Sequence, residues 1–359
     1  LNLLEKSLVE LAPSHVKGTM RPTAKDLAEA AGVSLATVDR VLNDRPNVSE
    51  KAARLVNEAI GRIGFVRNPA AVNLARNRIY RFRFVLPLAG DQYLQELLSQ
   101  VSEAREALRG DLTDIDVVQV SVSDPHALAK YLTTLDPEQI DGVAIMAPES
   151  PQVRDAMARL IERNIKVVQF LSGQERLPTA DFVGINNFAA GATAGKIIGR
   201  FVGGKGGKIM LVAETMMAQD SIERRLGFDS IINTQFPGLA CLPSLETYGD
   251  EKRTRLVIRR LLDNHPDVTA IYVLSSEAHA PLRAVEEVQD PRALTIVVHE
   301  RTPFSEEALK DDRIDAIIAQ DPSHAVRSAI RIMRARLEQR EPIASQEKIR
   351  IEVLLKENL

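Results

Sequence analysis

Polar side chains stand directly behind the apolar runs of this 359-residue chain, at places where they could grip a solute. Gln92 and Tyr93 follow FRFVLPLA, Glu149 follows GVAIMAP, and Asn186 and Asn187 follow DFVGI. Ser275 and Ser276 follow AIYVL, His299 and Glu300 follow LTIVV, and Gln320 follows AIIA, while Asp220 and Arg224 head the stretch DSIERRLGFDSIINTQ. An arginine donates from a rigid fork, a carboxylate accepts from hydroxyls, and a carboxamide does both, so the set suits a small polar, hydroxylated ligand. Taken singly, most of these groups read equally well as exposed loop residues. Other chemistries are poorly served. The histidines at 15, 126, 265, 279, 299 and 324 are scattered and form no HxxxH pair. The single cysteine, Cys241, excludes an intrachain disulfide and a multi-cysteine metal site, and is expected in or near a strand without a function of its own. The run Gly203-Gly204-Lys205-Gly206-Gly207-Lys208 lies between a helix and a strand and leads into Ile209. A phosphate loop needs strand, loop and helix in that order with GK[ST], so a surface turn is the expectation. No catalytic residue, metal ligand or cofactor is expected, and a cytosolic enzyme lacks any nucleophile–base constellation here.

These residues must be positioned by an alternation of strands and helices. From about Phe82, FRFVLPLA, DIDVVQVSVS, GVAIMAP, KVVQFLS, KIMLVA, LPSLETYG, AIYVLSS, LTIVVHE and AIIA read as strands, with amphipathic stretches between most of them. Strands separated by helices imply doubly wound parallel sheets, the α/β class, in which ligands bind outside the carboxyl ends of the strands.

The first part of the chain has a different period. Residues 23 to 43, TAKDLAEAAGVSLATVDRVLN, read as two short helices, with Thr23 and Ser34 as N-caps and Gly32 at the bend between them. Leu27, Ala28 and Ala31 share one face of the first, and Val38, Val41 and Leu42 one face of the second. On spacing alone this is either an ordinary αα-hairpin or a helix-turn-helix, whose second helix enters the DNA major groove. SEKAARLVNEAIGRI, residues 49–63, reads as a third amphipathic helix, capped by Ser49 and ended by Gly64. The stretch around 68–77 is alanine-rich and flanked by arginines, a marginal helix on its own.

At this point the chain resembles the lactose-repressor (LacI/GalR) family of bacterial transcription factors. Asp26-Leu27-Ala28, Ala31-Gly32-Val33-Ser34, Thr37-Val38, Arg40-Val41-Leu42-Asn43, Val48-Ser49, Asn68-Pro69 with Ala71, and Leu74-Ala75 carry the resemblance over about fifty residues. It implies an N-terminal helix-turn-helix headpiece, residues 21–66, and a hinge helix and linker, 67–81. A two-lobed periplasmic-binding-protein-like domain would follow at 82–359, for effector binding and dimerisation. The N-lobe would hold about 82–184 plus 320–342, and the C-lobe about 185–319 plus 343–359. The resemblance further implies phosphate contacts for Thr23, Ser34, Thr37, Asn43 and Ser49, with Lys25 and Asn47 as secondary candidates. Bases would be met by Leu35 and Ala36, which can touch thymine methyls only, and by Arg40, the one long donor on that face and the candidate for guanine. Asp39 stands where the family usually has serine, able to accept from cytosine or orient Arg40. Leu74 matches the leucine that wedges into the minor groove. Arg224, three residues before Gly227, matches an arginine that grips ligand hydroxyls or carboxylates, and Gln320 matches a ligand glutamine. Glu300 replaces a common aspartate and Ser275 lies near a common asparagine, so the resemblance does not by itself imply a typical hexose pocket.

Charge agrees with this division. Residues 21–83 hold 12 Lys+Arg against 6 Asp+Glu, and the remainder 34 against 43, a basic headpiece on an acidic body. The expected partners are double-stranded operator DNA, a sugar, cyclitol or sugar acid, and a second copy of the chain, with a dimer or a higher oligomer open. With 4% aromatic residues, no tryptophan and Tyr93 as the one aromatic placed near the site, a stacked purine is the lesser alternative. A transport solute-binding protein is another, but it would need export. No run of 18 apolar residues is present and the N-terminal residues do not read as a signal peptide, so a cytoplasmic protein without membrane contact is expected. Residues 1–20 form an extension, expected to be flexible. Its first 19 residues are set off by Pro13 and Gly18, and are expected to be dispensable for folding and operator binding.

Overall fold

The computed structural model of the chain describes residues 22–42, 45–65, 79–88, 90–121, 124–174, 177, 179–204 and 206–359. The expectations for residues 1–20, Asn43, the 68–77 helix and Leu74 therefore lie outside the described residues. Two compact units divide the chain after residue 76.

The first unit contains α1 (Ala24–Ala31), α2 (Leu35–Leu42) and α3 (Glu50–Ile63). Their ends are set by local chemistry. Thr23 closes a capping box: its hydroxyl accepts the Asp26 amide at 3.3 Å while the Asp26 carboxylate accepts the Thr23 amide at 2.7 Å. Gly32, at φ 65°, ends α1 in the left-handed region. Ser34 Oγ accepts the Thr37 amide at 3.1 Å, and Ser49 Oγ accepts that of Ala52 at 3.2 Å. Leu27, Ala28, Ala31, Val38, Val56 and Ala59 form the core of this unit.

The second unit has two sheets. One is wholly parallel, in the order β2-β1-β3-β4-β5, from β1 (Tyr80–Pro87), β2 (Thr113–Val120), β3 (Gly142–Ile145), β4 (Lys166–Phe170) and β5 (Asp181–Val183). It packs against α4 (Gln92–Leu108), α5 (Pro125–Thr133) and α6 (Pro151–Glu162). The other runs β12-β11-β10-β9-β6-β7, with β8 beside β6. Its strands are β6 (Gly207–Ala213), β7 (Leu239–Cys241), β8 (Leu245–Glu246), β9 (Val268–Val273), β10 (Thr295–His299), β11 (Ala316–Ala319) and β12 (Glu352–Leu354). All these pairs are parallel except β11–β12, an antiparallel edge. Its helices include α7 (Asn187–Phe201), α8 (Gln219–Gln235), α9 (Glu251–Asn264), α10 (His279–Glu286) and α11 (Pro303–Lys310). α12 (Pro322–Leu337) leaves β11 of the second sheet but packs on β4 and α4 of the first. The chain thus crosses between lobes after β5, after β11 and before β12. Among the described residues no helix is long and apolar enough to cross a membrane.

One expected strand is corrected. In LPSLETYG only Leu245–Glu246 is a strand: Pro243 has no amide to donate and Tyr248 turns to φ 54°, although the Leu242, Thr247 and Tyr248 amides still donate to the carbonyls of Ile209, Ala213 and Glu214. Sheet pairing beside it is made instead at Leu239–Cys241, which leaves Cys241 partly buried at a strand end.

Glycine sets the contact between α7 and α8. A Cβ on Gly191 would lie 1.9 Å from the carbonyl oxygen of Arg224, and one on Gly227 would lie 1.9 Å from that of Phe188. Both obstacles are backbone, which a rotamer change cannot relieve. Gly227→Ala must therefore push the helices apart and is expected to cost about 1–3 kcal/mol, read as a lower denaturant midpoint with an unchanged slope. An unchanged midpoint would show that the helices separate freely.

Candidate functional site

The close approach of α7 and α8 brings Arg224 into the space between the two sheets. Its side chain is buried and fully engaged: Nε donates to Asn187 Oδ1 at 2.9 Å and Nη1 to the carbonyl of Leu274 at 2.6 Å. Nη2 lies 3.5 Å from Glu300 Oε1, and Nη1 lies 4.0 Å from Asp220. Asn187 begins α7 and Leu274 ends the β9 run, so this cage is built by strand ends and helix starts of one lobe.

Glu300 is the other centre of the site. It follows β10 with φ 62°, a left-handed conformation that a side chain pays for, and one that re-aims the residue as the strand ends. It is 2% exposed. Its Oε1 accepts from Gln320 Nε2 at 3.0 Å. Burial pushes its carboxyl up to about 7, against the opposing pull of Arg224 and Gln320, and Asp91 adds to the rise. Three buried atoms here have no hydrogen-bond partner: Glu300 Oε2, Gln320 Oε1 and the Tyr93 hydroxyl. Tyr93, on α4, comes from the other lobe, and burial together with Glu300 holds its hydroxyl well above its usual range. Such orphans are rare in folded proteins and ask for a partner.

Two further contacts join the lobes. Ser276 Oγ donates to the carboxylate of Asp91, and Gln92 Oε1 accepts the Phe304 amide at 3.1 Å. Beside the buried group opens a cavity of about 1260 Å³, whose wall includes Gln169, Gln174, Asn187, Asp220, Lys348 and Arg350.

The structure therefore brings together Tyr93, Asp220, Arg224, Glu300 and Gln320, with Gln92 and Ser276 bridging at the edge. His299 turns inward: its Nε2 shares a 2.7 Å hydrogen bond with the Tyr272 hydroxyl, and burial holds the ring neutral. Ser275 is half-buried at the same strand end. Glu149 is not brought to the group; its carboxylate meets Arg154 at 2.7 Å. Asn186 caps α7, accepting the Ala189 amide at 2.8 Å. Missed at the sequence level were Asp91, Glu214 and Glu277. Asp91 caps α4 through the Leu94 amide at 3.1 Å; Glu214 directly follows β6, and Glu277 lies four residues beyond β9. The strand-end rule that chose the others would have found all three.

In the first unit, α2 presents Leu35, 46% exposed, with Ala36 and Arg40 also exposed. Asp39 pairs with Arg45 at 3.3 Å, a partner not foreseen for it. The Ser34 and Thr37 hydroxyls lie 2.8 Å apart, and Lys25, Asn47 and Ser49 are exposed, Asn47 at φ 68°.

Two doubly wound lobes facing each other across an orphaned polar cluster define a two-lobed solute-binding domain. Residues 82–341 match the family described as periplasmic binding protein domain. That match spans more than half of the chain, which belongs to this family, and residues 23–68 match the family described as bacterial regulatory proteins, lacI family. Among curated proteins, the HTH-type transcriptional regulator DegA of Bacillus subtilis (strain 168) is 27% identical over 49% of this chain and 51% of its own length. The HTH-type transcriptional regulator RegA of Clostridium saccharobutylicum is 31% identical over 42% and 43%. The chain thus spans about half the length, or less, of these relatives. In fold, it is similar to a periplasmic solute binding protein of Actinobacillus succinogenes 130z with bound D-allose. The TM-score is 0.70 at 15% identity, over 78% of this chain and 98% of that one.

The raised carboxyl of Glu300 has a consequence for stability. A group whose folded value is raised from 4.5 to about 7 stabilises the fold below pH 4.5 and loses that contribution as pH rises through 7. Comparing the chain with Glu300→Gln by denaturation across this window should show that loss, on the order of a few kcal/mol, only where the carboxyl is present. Parallel profiles for the two proteins would place the proton elsewhere.

Proposed function

We propose that this protein is a ligand-responsive DNA-binding transcriptional regulator, acting in the cytoplasm as a repressor, that binds a pseudo-palindromic operator as a symmetric dimer. What carries the reading is the joining, in one chain, of a helix-turn-helix with an exposed recognition face to a two-lobed body that leaves three buried polar atoms unpartnered between its lobes. Thr23, Lys25, Ser34, Thr37, Asn43, Asn47 and Ser49 hold phosphates in this reading, which fixes register without specifying sequence. Arg40 reads a base pair, Leu35 and Ala36 contact thymine methyls, and Leu74 supplies a minor-groove wedge. The effector is a small hydroxylated solute gripped by Arg224, Glu300 and Gln320, with Tyr93 closing over it from the other lobe. The D-allose bound by the structural neighbour is compatible with that class. By binding one lobe arrangement better than the other, the solute shifts the protein between states of different operator affinity.

The test is a gel shift on palindromic DNA with two variants. Arg40→Ala is expected to lose about 1–3 kcal/mol of specific binding and to relax discrimination at one base pair per half-site. Arg224→Ala is expected to bind operator normally and to ignore the effector. Unchanged specificity in the first would displace the recognition helix, and a normal effector response in the second would displace the cleft.

A further inference from the structure

We propose that the solute taken by this cleft is a cation, a hydroxylated amine such as an amino sugar or amino polyol, in preference to a neutral sugar or a sugar acid. This rests on the reading of the cleft as a solute site and narrows its ligand class.

The argument begins with where the carboxylates stand. β6 and β9 are parallel neighbours, and the Leu274 amide donates to the Val212 carbonyl at 2.8 Å, so their ends are level. Glu214 follows the first and Glu277 the second. Asp91 of the other lobe is tied to Ser276, the residue before Glu277. Asp220 opens α8, 4.0 Å from Arg224, and Glu300 lies 3.5 Å from the same guanidinium. Five carboxylates thus converge on one end of the sheets. Their neutralisation is incomplete. Arg224 serves Asp220 and Glu300, while among the described residues Asp91, Glu214 and Glu277 form no ion pair. Lys348 and Arg350 line the adjoining cavity together with Asp220 and Glu223. The site compensates with protons: loss of hydration first, then Asp91, Asp220 and Glu277, hold the Glu214 carboxyl above its usual range.

The orphaned atoms point the same way. Glu300 Oε2 and Gln320 Oε1 are acceptors, at residues 2% and 4% exposed; the Tyr93 hydroxyl can donate to one of them, and donors on the ligand meet what it leaves. A hydroxyl brings one proton and no charge. An ammonium brings three donors and the missing positive charge. A carboxylate ligand would bring neither and would add to the repulsion. A bare metal ion is a poor occupant, since among the described residues no group of three or more His, Cys, Asp or Glu side chains could hold one.

The test uses the full chain and two matched probe series: D-glucosamine, D-glucose and D-glucuronate; then 1-amino-1-deoxy-D-sorbitol, D-sorbitol and D-gluconate. Each is titrated calorimetrically at neutral pH and checked by thermal shift. In at least one series the amine should bind about tenfold or more tighter than its neutral partner, a difference of roughly 1.4 kcal/mol, with no binding of the acid. Glu214→Gln and Glu277→Gln should each weaken the amine about threefold to tenfold while sparing the neutral probe, and added salt should weaken the amine selectively. Equal or tighter binding of a neutral or acidic probe, unchanged amine affinity in both rim variants, stabilisation by Mg²⁺ alone, or no binding by any of the six probes would each overturn the proposal. Arg224→Ala separates the two readings. Loss of all probe binding in that variant upholds the cleft even when the charge preference fails, and unaffected binding removes the cleft itself.

Discussion

A guanidinium has been taken out of water at Arg224, and much of the body is arranged around that fact. An isolated buried ion costs several kcal/mol even after relaxation, so its donors must be met by groups fixed in advance. Asn187 and the Leu274 carbonyl meet two of them, and Glu300 supplies the opposite charge. These partners come from the start of α7, the end of β9 and the end of β10. They can converge only because α7 and α8 touch backbone to backbone through Gly191 and Gly227. The pairing is also lopsided. Arg224 and Gln320 both use Glu300 Oε1, and Oε2 is left without a partner. A polar group is held dry and half-satisfied, the condition under which a ligand hydrogen bond is worth most.

Polar contacts between the lobes are few in kind, and one apolar cluster runs continuously through both. Ser276 reaches Asp91, the Phe304 amide reaches Gln92, and Tyr93 lies over Glu300 and Gln320. Each lobe meanwhile keeps its own apolar core beneath its sheet. The headpiece solves a different problem. Its core of six small and medium residues is slight, so the capping box at Thr23, the left-handed Gly32 and the caps at Ser34 and Ser49 carry a larger share of its definition.

Much of this was legible in the chain because local rules and tertiary demands agree. Cap, bend and apolar face coincide in α1 to α3, and short continuous apolar runs, buried on both faces, mark most strands of the body. The exception, LPSLETYG, has apolar residues enough for a strand, but Pro243 and the turn at Tyr248 break its ladder. Strand ends singled out Glu300 and Gln320, and a helix head Arg224, because the rule is topological. Which residues turn inward was not legible. His299 and Glu300 are adjacent in sequence, yet one closes onto Tyr272 in the core and the other faces the cleft, a divergence made by one positive φ. Glu149 satisfied the same rule and was captured by Arg154 one helical turn further on. Asp91, one residue before Gln92, lay within reach of the same rule, and serves as both helix cap and lobe bridge.

The three passages of the chain between lobes have a mechanical meaning. Residues of two of them, 184–189 and 348–351, wall the same cavity, and the third begins at Gln320. Two bodies joined by one tether can swivel, twist and slide. Joined by three, they lose most of those degrees of freedom and keep rotation about an axis running through the tethers. Gln320 sits at that axis while Tyr93 rides on the moving body. A displacement of a few tenths of an ångström beside the glutamine therefore becomes a larger arc at the far rim of each lobe, a lever whose short arm is the buried polar cluster.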